Sequence, residues 1–317
     1  MKMKQLNKTN NIIIDTDSMQ MFDIPLSQNK QETTMMGEPS FPLAVFHTDL
    51  KRNVLGYVNW HWNRELQFCI VVENTVIFKT DGKEYEISAG DGIFINAGVL
   101  HMSKPVQGQN GVYICVMADT KLFHTFKESV FERKYFETFF SCPILECVTF
   151  FKDIKWQSEI LDKIKNISNS CYNKLYGFEL EILSDLMKIW QLMIQNINIK
   201  EHRKKKQSRD NQVVNSILKY IGENYSRRIR IEDISKAVYC SPSECCRIFK
   251  KVLGETISQY LTGYRIEHST ELLNNTSLSV NEIAYETGFC SASYYVQNFR
   301  NLTGKTPLRY RSENNRN

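Results

Sequence analysis

The sequence predicts an α+β multidomain protein: a β-barrel or sandwich in front, helices behind it, and an all-α C-terminal third. Three observations carry this. Between Phe41 and Met117 short apolar runs alternate with Gly, Asn and Asp. From Phe178 to Ile197 the apolar residues recur at helical spacing. Finally, FKKVLGETISQY (Phe249–Tyr260) returns fifty residues later as FRNLTGKTPLRY (Phe299–Tyr310). Such self-similarity marks one supersecondary unit used twice.

A chain of 317 residues is long enough for two domains with separate cores. No apolar run approaches the roughly 20 residues that span a bilayer, so no membrane partner is expected. The N-terminal MKMKQLNKTNNIIIDTD has too short an apolar core for a signal peptide. The nine cysteines are scattered and lack a CxxC pair. That pattern fits reduced thiols and a cytoplasmic location better than a disulfide framework or zinc site. The adjacent Cys245 and Cys246 do not read as a redox pair, apolar packing being the commoner role of cysteine. From Lys200 onward, 20 Lys and Arg face 12 Asp and Glu, a net of +8; residues 1–199 carry 20 against 23, a net of −3. The basic part is suited to a polyanion and the remainder is not.

In chain order, residues 1–40 are polar and pattern-poor, an arm with little expected structure. Residues 41–150 hold the β signals QFCIVV, TVIFKT, KEYEI, GIFI and VYICVM. TDGK at Thr80–Lys83 carries the Asp-Gly pair of tight hairpins. Six or more short strands without intervening helices make a small barrel or sandwich. Residues 151–199 are helical. Phe178, Ile182, Leu186, Ile189, Met193 and Ile197 form one stripe; Leu183, Met187, Trp190 and Ile194 form a second beside it. A face that wide covers the barrel and has surface left for a second subunit; the alternative is that all of it is internal core. Residues 200–210, KEHRKKKQSRD, are a basic linker.

The repeat extends upstream into residues 211–312. IEDISKAVYCSPSECCRIFK and VNEIAYETGFCSASYYVQNFR each read as a short helix, a turn and a second helix. SPSE at Ser241–Glu244 supplies an N-cap, a proline at the first helical position and an acidic partner. SVNE at Ser279–Glu282 repeats the capping box, and Gly288 suits a left-handed turn. In the first copy's second helix, Cys245, Ile248, Phe249 and Val252 point inward, leaving Ser243, Cys246, Arg247 and Lys250 outside. In the second copy, Tyr295, Phe299 and Leu302 point inward, leaving Ala292, Ser293, Val296, Gln297 and Arg300 outside. Short helices with small, hydrogen-bonding and cationic outer faces suit the DNA major groove.

On IxxIAxxxGFxSxSYYxxxFR at Val280–Arg300 and GKTPLRYR at Gly304–Arg311, residues 211–312 resemble the DNA-binding domain of AraC/XylS family transcription regulators. The resemblance implies two helix-turn-helix units joined by a long helix, here about Thr256–Leu273, with Arg265 at the family's Arg position. It implies Ser243, Cys246, Arg247, Ala292, Ser293, Val296 and Gln297 as base readers. The first copy departs from the pattern at Ser235, Tyr239 and Cys245, where Ala, Gly and Leu are usual.

The front domain resembles the cupin-like sensor of the same family, on HWNRELQ (His61–Gln67) and GDGIFINAGVLH (Gly90–His101). The four metal-binding positions of cupins would be His61, Asn63, Gln67 and His101. Two neutral amides donate weakly to a first-row metal, which usually takes imidazoles and a carboxylate. No metal, cofactor or catalytic residue is therefore expected; Glu65, of the same strand parity as Gln67, is a poor substitute. The four residues instead read as the polar lining of a small-molecule effector pocket. The expected function is an effector-controlled, sequence-specific transcription regulator acting as a homodimer on double-stranded DNA, with RNA polymerase left open as a partner. Two competing readings are a cupin enzyme with a helical appendage and a constitutive DNA-binding protein whose barrel only dimerises.

Overall fold

The computed structural model describes residues 6–7, 12–13, 31–32, 40–80, 82–123, 134–135, 145–197 and 209–314. In the arm, β1 (Leu6–Asn7) pairs antiparallel with β2 (Ile12–Ile13). Two sheets then face each other. The first is five-stranded, built from β3 (Leu43–Asp49), β5 (Leu66–Glu73), β8 (Gly92–Ile95), β10 (Val112–Ala118) and β11 (Cys147–Phe150), in the order β11-β8-β5-β10-β3. The second is four-stranded: β4 (Val58–His61), β6 (Thr75–Thr80), β7 (Lys83–Ser88) and β9 (His101–Pro105), in the order β4-β9-β6-β7. β6 and β7 meet across the expected hairpin, Thr80 opposite Lys83. Strands β3, β4, β9 and β11 carry no long apolar run and were not among the sequence signals.

The five-stranded sheet is covered on both sides, which explains why β5 reads as a nearly continuous apolar run. Phe68, Ile70 and Val72 face the helices α1 (Lys155–Asn173) and α2 (Phe178–Asn196), while Cys69 and Val71 face the second sheet. The helical hairpin is tied by Lys163 Nζ to Asp185 Oδ1 at 2.8 Å. Ile182, Leu186, Ile189 and Met193 all lie in this core, and Leu186 and Met193 are fully buried. These four residues of the first stripe are therefore interior, while Phe178 and Ile197 at its ends are partly buried. Of the second stripe, Trp190 is buried and Met187 and Ile194 are partly buried against the same core.

Behind the barrel, α3 (Arg209–Asn224), α4 (Ile231–Val238), α5 (Pro242–Leu253), α6 (Ile257–Asn275), α7 (Val280–Glu286), α8 (Ala292–Thr303) and α9 (Pro307–Asn314) follow. Helix α3 starts at Arg209, inside the stretch read as linker; residues 198–208 lie outside the described residues. The repeat becomes α4–α5 and α7–α8, with α6 between them.

The two sheets differ in what covers their outer faces. Val58 pairs with Ser103 and His61 with His101, so three steps along β4 match two along β9. This is a β-bulge, in which one surplus residue re-aims the side chains around it. Val58 and His61 both face the barrel interior, while Trp60 leaves it. Trp60, 1% exposed, enters the apolar cluster of α3, α5 and α6 together with Met102. Asn59 Nδ2 donates to Glu267 Oε2 on α6 at 3.0 Å, and its Oδ1 accepts from Trp60 N–H at 2.8 Å. At the other edge, the Gly82 N–H of the β6–β7 turn donates to the Val252 carbonyl of α5 at 3.0 Å. Gly82 sits at φ +73, and a Cβ there would stand 3.1 Å from the Lys251 carbonyl oxygen. Barrel and helical domain thus share a buried apolar junction at Trp60 and Met102, and Leu55 of the β3–β4 segment enters the cluster of the second helical unit.

Because Leu186 and Met193 belong to the barrel core, replacing either by Ala should lower unfolding free energy by about 2–5 kcal/mol in urea titrations. Loss of dimer mass from a protein of unchanged stability would contradict that placement.

Candidate nucleic-acid interface and barrel pocket

Local chemistry fixes both copies of the helical unit. Ser241 Oγ accepts from the Glu244 N–H at 3.2 Å, with Pro242 opening α5. Ser279 and Glu282 form the reciprocal box at the start of α7, and Ser291 caps α8 by accepting from the Tyr294 N–H. Such caps contribute about 1 kcal/mol each. The second copy turns at Gly288, φ +82, where a Cβ would fall 2.3 Å from the Tyr225 carbonyl oxygen. The first copy turns at Tyr239, which adopts the left-handed conformation at φ +55 despite its side chain. That costs about 1–2 kcal/mol, and the turn forms nonetheless.

In α5, Cys245, Ile248, Phe249 and Val252 are buried, and Ser243, Cys246, Arg247 and Lys250 are exposed. Burial pushes the Cys245 thiol up to about 11, which leaves it a packing residue. In α8, Tyr295 and Phe299 are buried and Ser293, Gln297 and Arg300 are exposed. Three assignments in α8 differ from the sequence reading. Leu302, expected inside, is exposed, while Ala292 and Val296, expected outside, are half-buried against the C-terminal core. The cause is geometric: α8 packs through Tyr295 and Phe299 toward Tyr310, and Ala292 and Val296 flank that contact. Tyr294, exposed three residues before Gln297, is a further outer-face residue that its aromatic character had concealed.

Arginines fix the spacing of the two units. Arg265 of α6 donates from Nε to the Tyr225 carbonyl and from Nη2 to the Arg227 carbonyl, both at 2.8 Å. The same guanidinium lies 5.8 Å from the centre of the Phe289 ring, in the second unit's turn. Arg311 donates to the Leu273 and Leu278 carbonyls at 3.1 and 2.6 Å. These motif arginines hold backbone together and are not readers.

In the barrel, His61, Gln67 and His101 line one small cavity, and Asn63 reaches it through hydrogen bonds. Each imidazole is oriented from behind. His61 Nδ1 donates to the Asn59 carbonyl at 2.8 Å and His101 Nδ1 to the Val99 carbonyl at 2.9 Å. Both Nε2 atoms are left on the cavity side, with ring centres 4.2 Å apart. Burial lowers His101 to about 4, so its ring is neutral at physiological pH. The carboxylate beside them does not come from Glu65, which is half-exposed outside the cavity, but from Glu32. Glu32 Oε2 stands 3.9 Å from His61 Nε2. With the Asn63 amide turned to satisfy its neighbours, its nitrogen donates to Glu32 Oε2 at 2.8 Å and its oxygen accepts from Gln67. Among the described residues no three of His, Cys, Asp and Glu are grouped to hold a metal ion, and no helix is long and apolar enough to cross a membrane.

Comparison with known proteins locates both parts. Residues 234–313 match the family model described as a helix-turn-helix domain, and residues 52–159 match the AraC-like ligand binding domain. The Bacillus subtilis protein described as an uncharacterized HTH-type transcriptional regulator, YdeC, is 30% identical over 303 residues, covering 93% of this chain and all of that one. The melibiose operon regulatory protein of Escherichia coli is 28% identical over 157 residues, about half of each chain. Among solved structures, ToxT from Vibrio cholerae aligns over 85% of this chain and 94% of its own at 15% identity and a TM-score of 0.40. The DNA-binding domain of AdpA, solved with a target DNA, aligns over 32% of this chain and 90% of its own at 25% identity and a TM-score of 0.31. With a full-length relative, both domain models and a duplicated, capped helical unit behind a barrel, the chain belongs to the AraC family of DNA-binding transcription regulators.

Proposed function

We propose that the two helix-turn-helix units read adjacent major-groove segments of one operator and that a small molecule in the barrel controls this. The readers are Ser243, Cys246 and Arg247 in α5, with Ser293 and Gln297 in α8. Lys250 and Arg300 lie toward phosphates, and Ala292 and Val296 offer only the edge of their side chains. The observation that carries the reading is the pair of exposed polar and cationic helix faces held apart by one continuous helix, α6.

Control by the barrel is supported by a short hydrogen-bonded path. His61 lines the cavity and donates to the Asn59 carbonyl; the Asn59 side chain donates to Glu267 on α6. A ligand that moves His61 therefore acts on the helix that spaces the two readers. This favours an effector-controlled regulator over a constitutive one, and the same arrangement gives the barrel a use without catalysis. The protein acts in the cytoplasm, where its DNA is.

A homodimer through residues 151–199 is part of the proposal, with its seam relocated. Leu175, Tyr176 and Leu180 at the α1–α2 turn are exposed apolar residues outside the core. Charge on a desolvated seam costs several kcal/mol. Leu180→Glu should therefore shift the sedimentation mass toward monomer at unchanged melting temperature; an unchanged mass would exclude this seam.

The reading itself is tested on DNA selected from random sequence. Arg247→Ala should cost about 1–3 kcal/mol at the cognate site and relax one base position. Groove segments on one face recur about every 10–10.5 bp, so inserting about 5 bp between the two elements should abolish joint contact. Equal losses on cognate and random DNA, together with indifference to the insertion, would contradict two-unit reading.

A further inference from the structure

The barrel cavity, read above as the effector site, already holds a group from this chain. Glu32 belongs to the N-terminal segment, ahead of β3 and distant in sequence from its partner Trp62. Its N–H donates to the Trp62 carbonyl at 2.9 Å, and Gln31 pairs with Trp62 in parallel. The Glu32 side chain is 3% exposed, and beside it about 20 Å³ remains, room for a water molecule. Beyond the carboxylate the walls are mixed: Phe46, Phe78 and Met117 are apolar, while His61, Gln67 and His101 are polar and Thr48 and Tyr113 add hydroxyls.

Burying a carboxylate costs several kcal/mol unless donors meet it. Here the Asn63 amide nitrogen meets it at 2.8 Å, and His61 adds an ion pair whenever its ring is protonated. Charge-assisted hydrogen bonds of this kind are stronger than neutral ones. Among the described residues lining the cavity, Glu32 is the one acid. The donors are thus arranged for a single carboxylate, and the volume suits a short molecule.

We propose that Glu32 is an internal occupant of the effector pocket, and that the pocket takes a small monocarboxylate whose acid group replaces that of Glu32. This rests on the effector-site reading and adds the ligand's chemical class. A tethered competitor acts at an effective concentration in roughly the millimolar range or above. Glu32 therefore sets the threshold that the free acid must exceed. A neutral ligand would leave the same donors a weaker acceptor and would displace Glu32 poorly.

The test is replacement of the deleted group in the full-length protein. Glu32→Ala removes an acetate-sized fragment, so acetate is the probe, with acetamide as its neutral isostere and sodium chloride as the ionic control. Acetate should raise the melting temperature of Glu32→Ala saturably, by about 3 °C or more, and leave wild type unmoved. Acetamide and chloride should not, and adding His61→Ala should remove the effect. Equal stabilisation by acetamide, or none by acetate beyond chloride, overturns the proposal. If Glu32→Ala does not fold, Glu32→Gln decides: it should melt below wild type, and melting at or above wild type overturns the proposal. DNA affinity of Glu32→Ala with and without acetate separates the two readings. Rescue with unchanged DNA affinity supports the ligand class and removes effector control. DNA affinity that responds equally to acetamide keeps effector control and overturns the carboxylate class.

Discussion

The Asn59–Glu267 hydrogen bond and the burial of Trp60 beside it join the barrel to the helical domain, and both exist because β4 is bulged. Without the surplus residue, strict alternation would place Val58 and His61 on opposite faces. Either the cavity would lose His61 or the barrel would lose Val58. The bulge lets one strand keep both inside and still present Asn59 and Trp60 outward. Truncating a buried Trp costs about 3–5 kcal/mol, a large part of the usual stability of a domain. The junction is consequently a structural commitment of the fold.

From that junction the rest of the architecture follows. Glu267 lies on α6, and α6 also carries Arg265, whose guanidinium joins the segment after α3 to the turn at Phe289. The same helix thus touches the barrel, spaces the two units and is held by both. On the barrel side the chain Glu32, Asn63 and His61 ends at the Asn59 carbonyl, one residue from Trp60. Coupling between distant sites needs contiguous groups with a stated physical connection, and here every link is a hydrogen bond, an ion pair or a shared residue.

The helical domain was largely legible in the sequence because its signals are local. Ser241, Ser279 and Ser291 cap where capping chemistry demands, and Gly288 sits where only glycine fits against Tyr225. Tyr239 shows that the first copy enters the left-handed conformation at its turn without a glycine. Periodicity leaves the partner of a face open where it depends on a neighbour. Leu186 and Met193 lie on an apolar stripe whichever surface it meets, and only the barrel shows that the surface is internal. Val296 and Leu302 exchanged roles because α8 is rotated by its contact with Tyr310. In the barrel, His61, Asn63, Gln67 and His101 were legible as one cluster from their resemblance to cupin positions. Glu32 was not, since the arm has no pattern and its pairing with Trp62 is a long-range contact. The bulge was hidden for a related reason: it is a property of two strands compared.

The claim at the centre of this account is that pocket and reader communicate through β4. A double-mutant cycle on operator affinity tests it most directly, using His61→Ala in the cavity and Glu267→Ala on α6. Asn59 links these two side chains by hydrogen bonds, whereas independent effects would add within about 0.3–0.5 kcal/mol. The account predicts a coupling energy clearly above that limit, and one that disappears when Asn59 is replaced by Ala. Additive effects, or a coupling that persists without the Asn59 side chain, would contradict it.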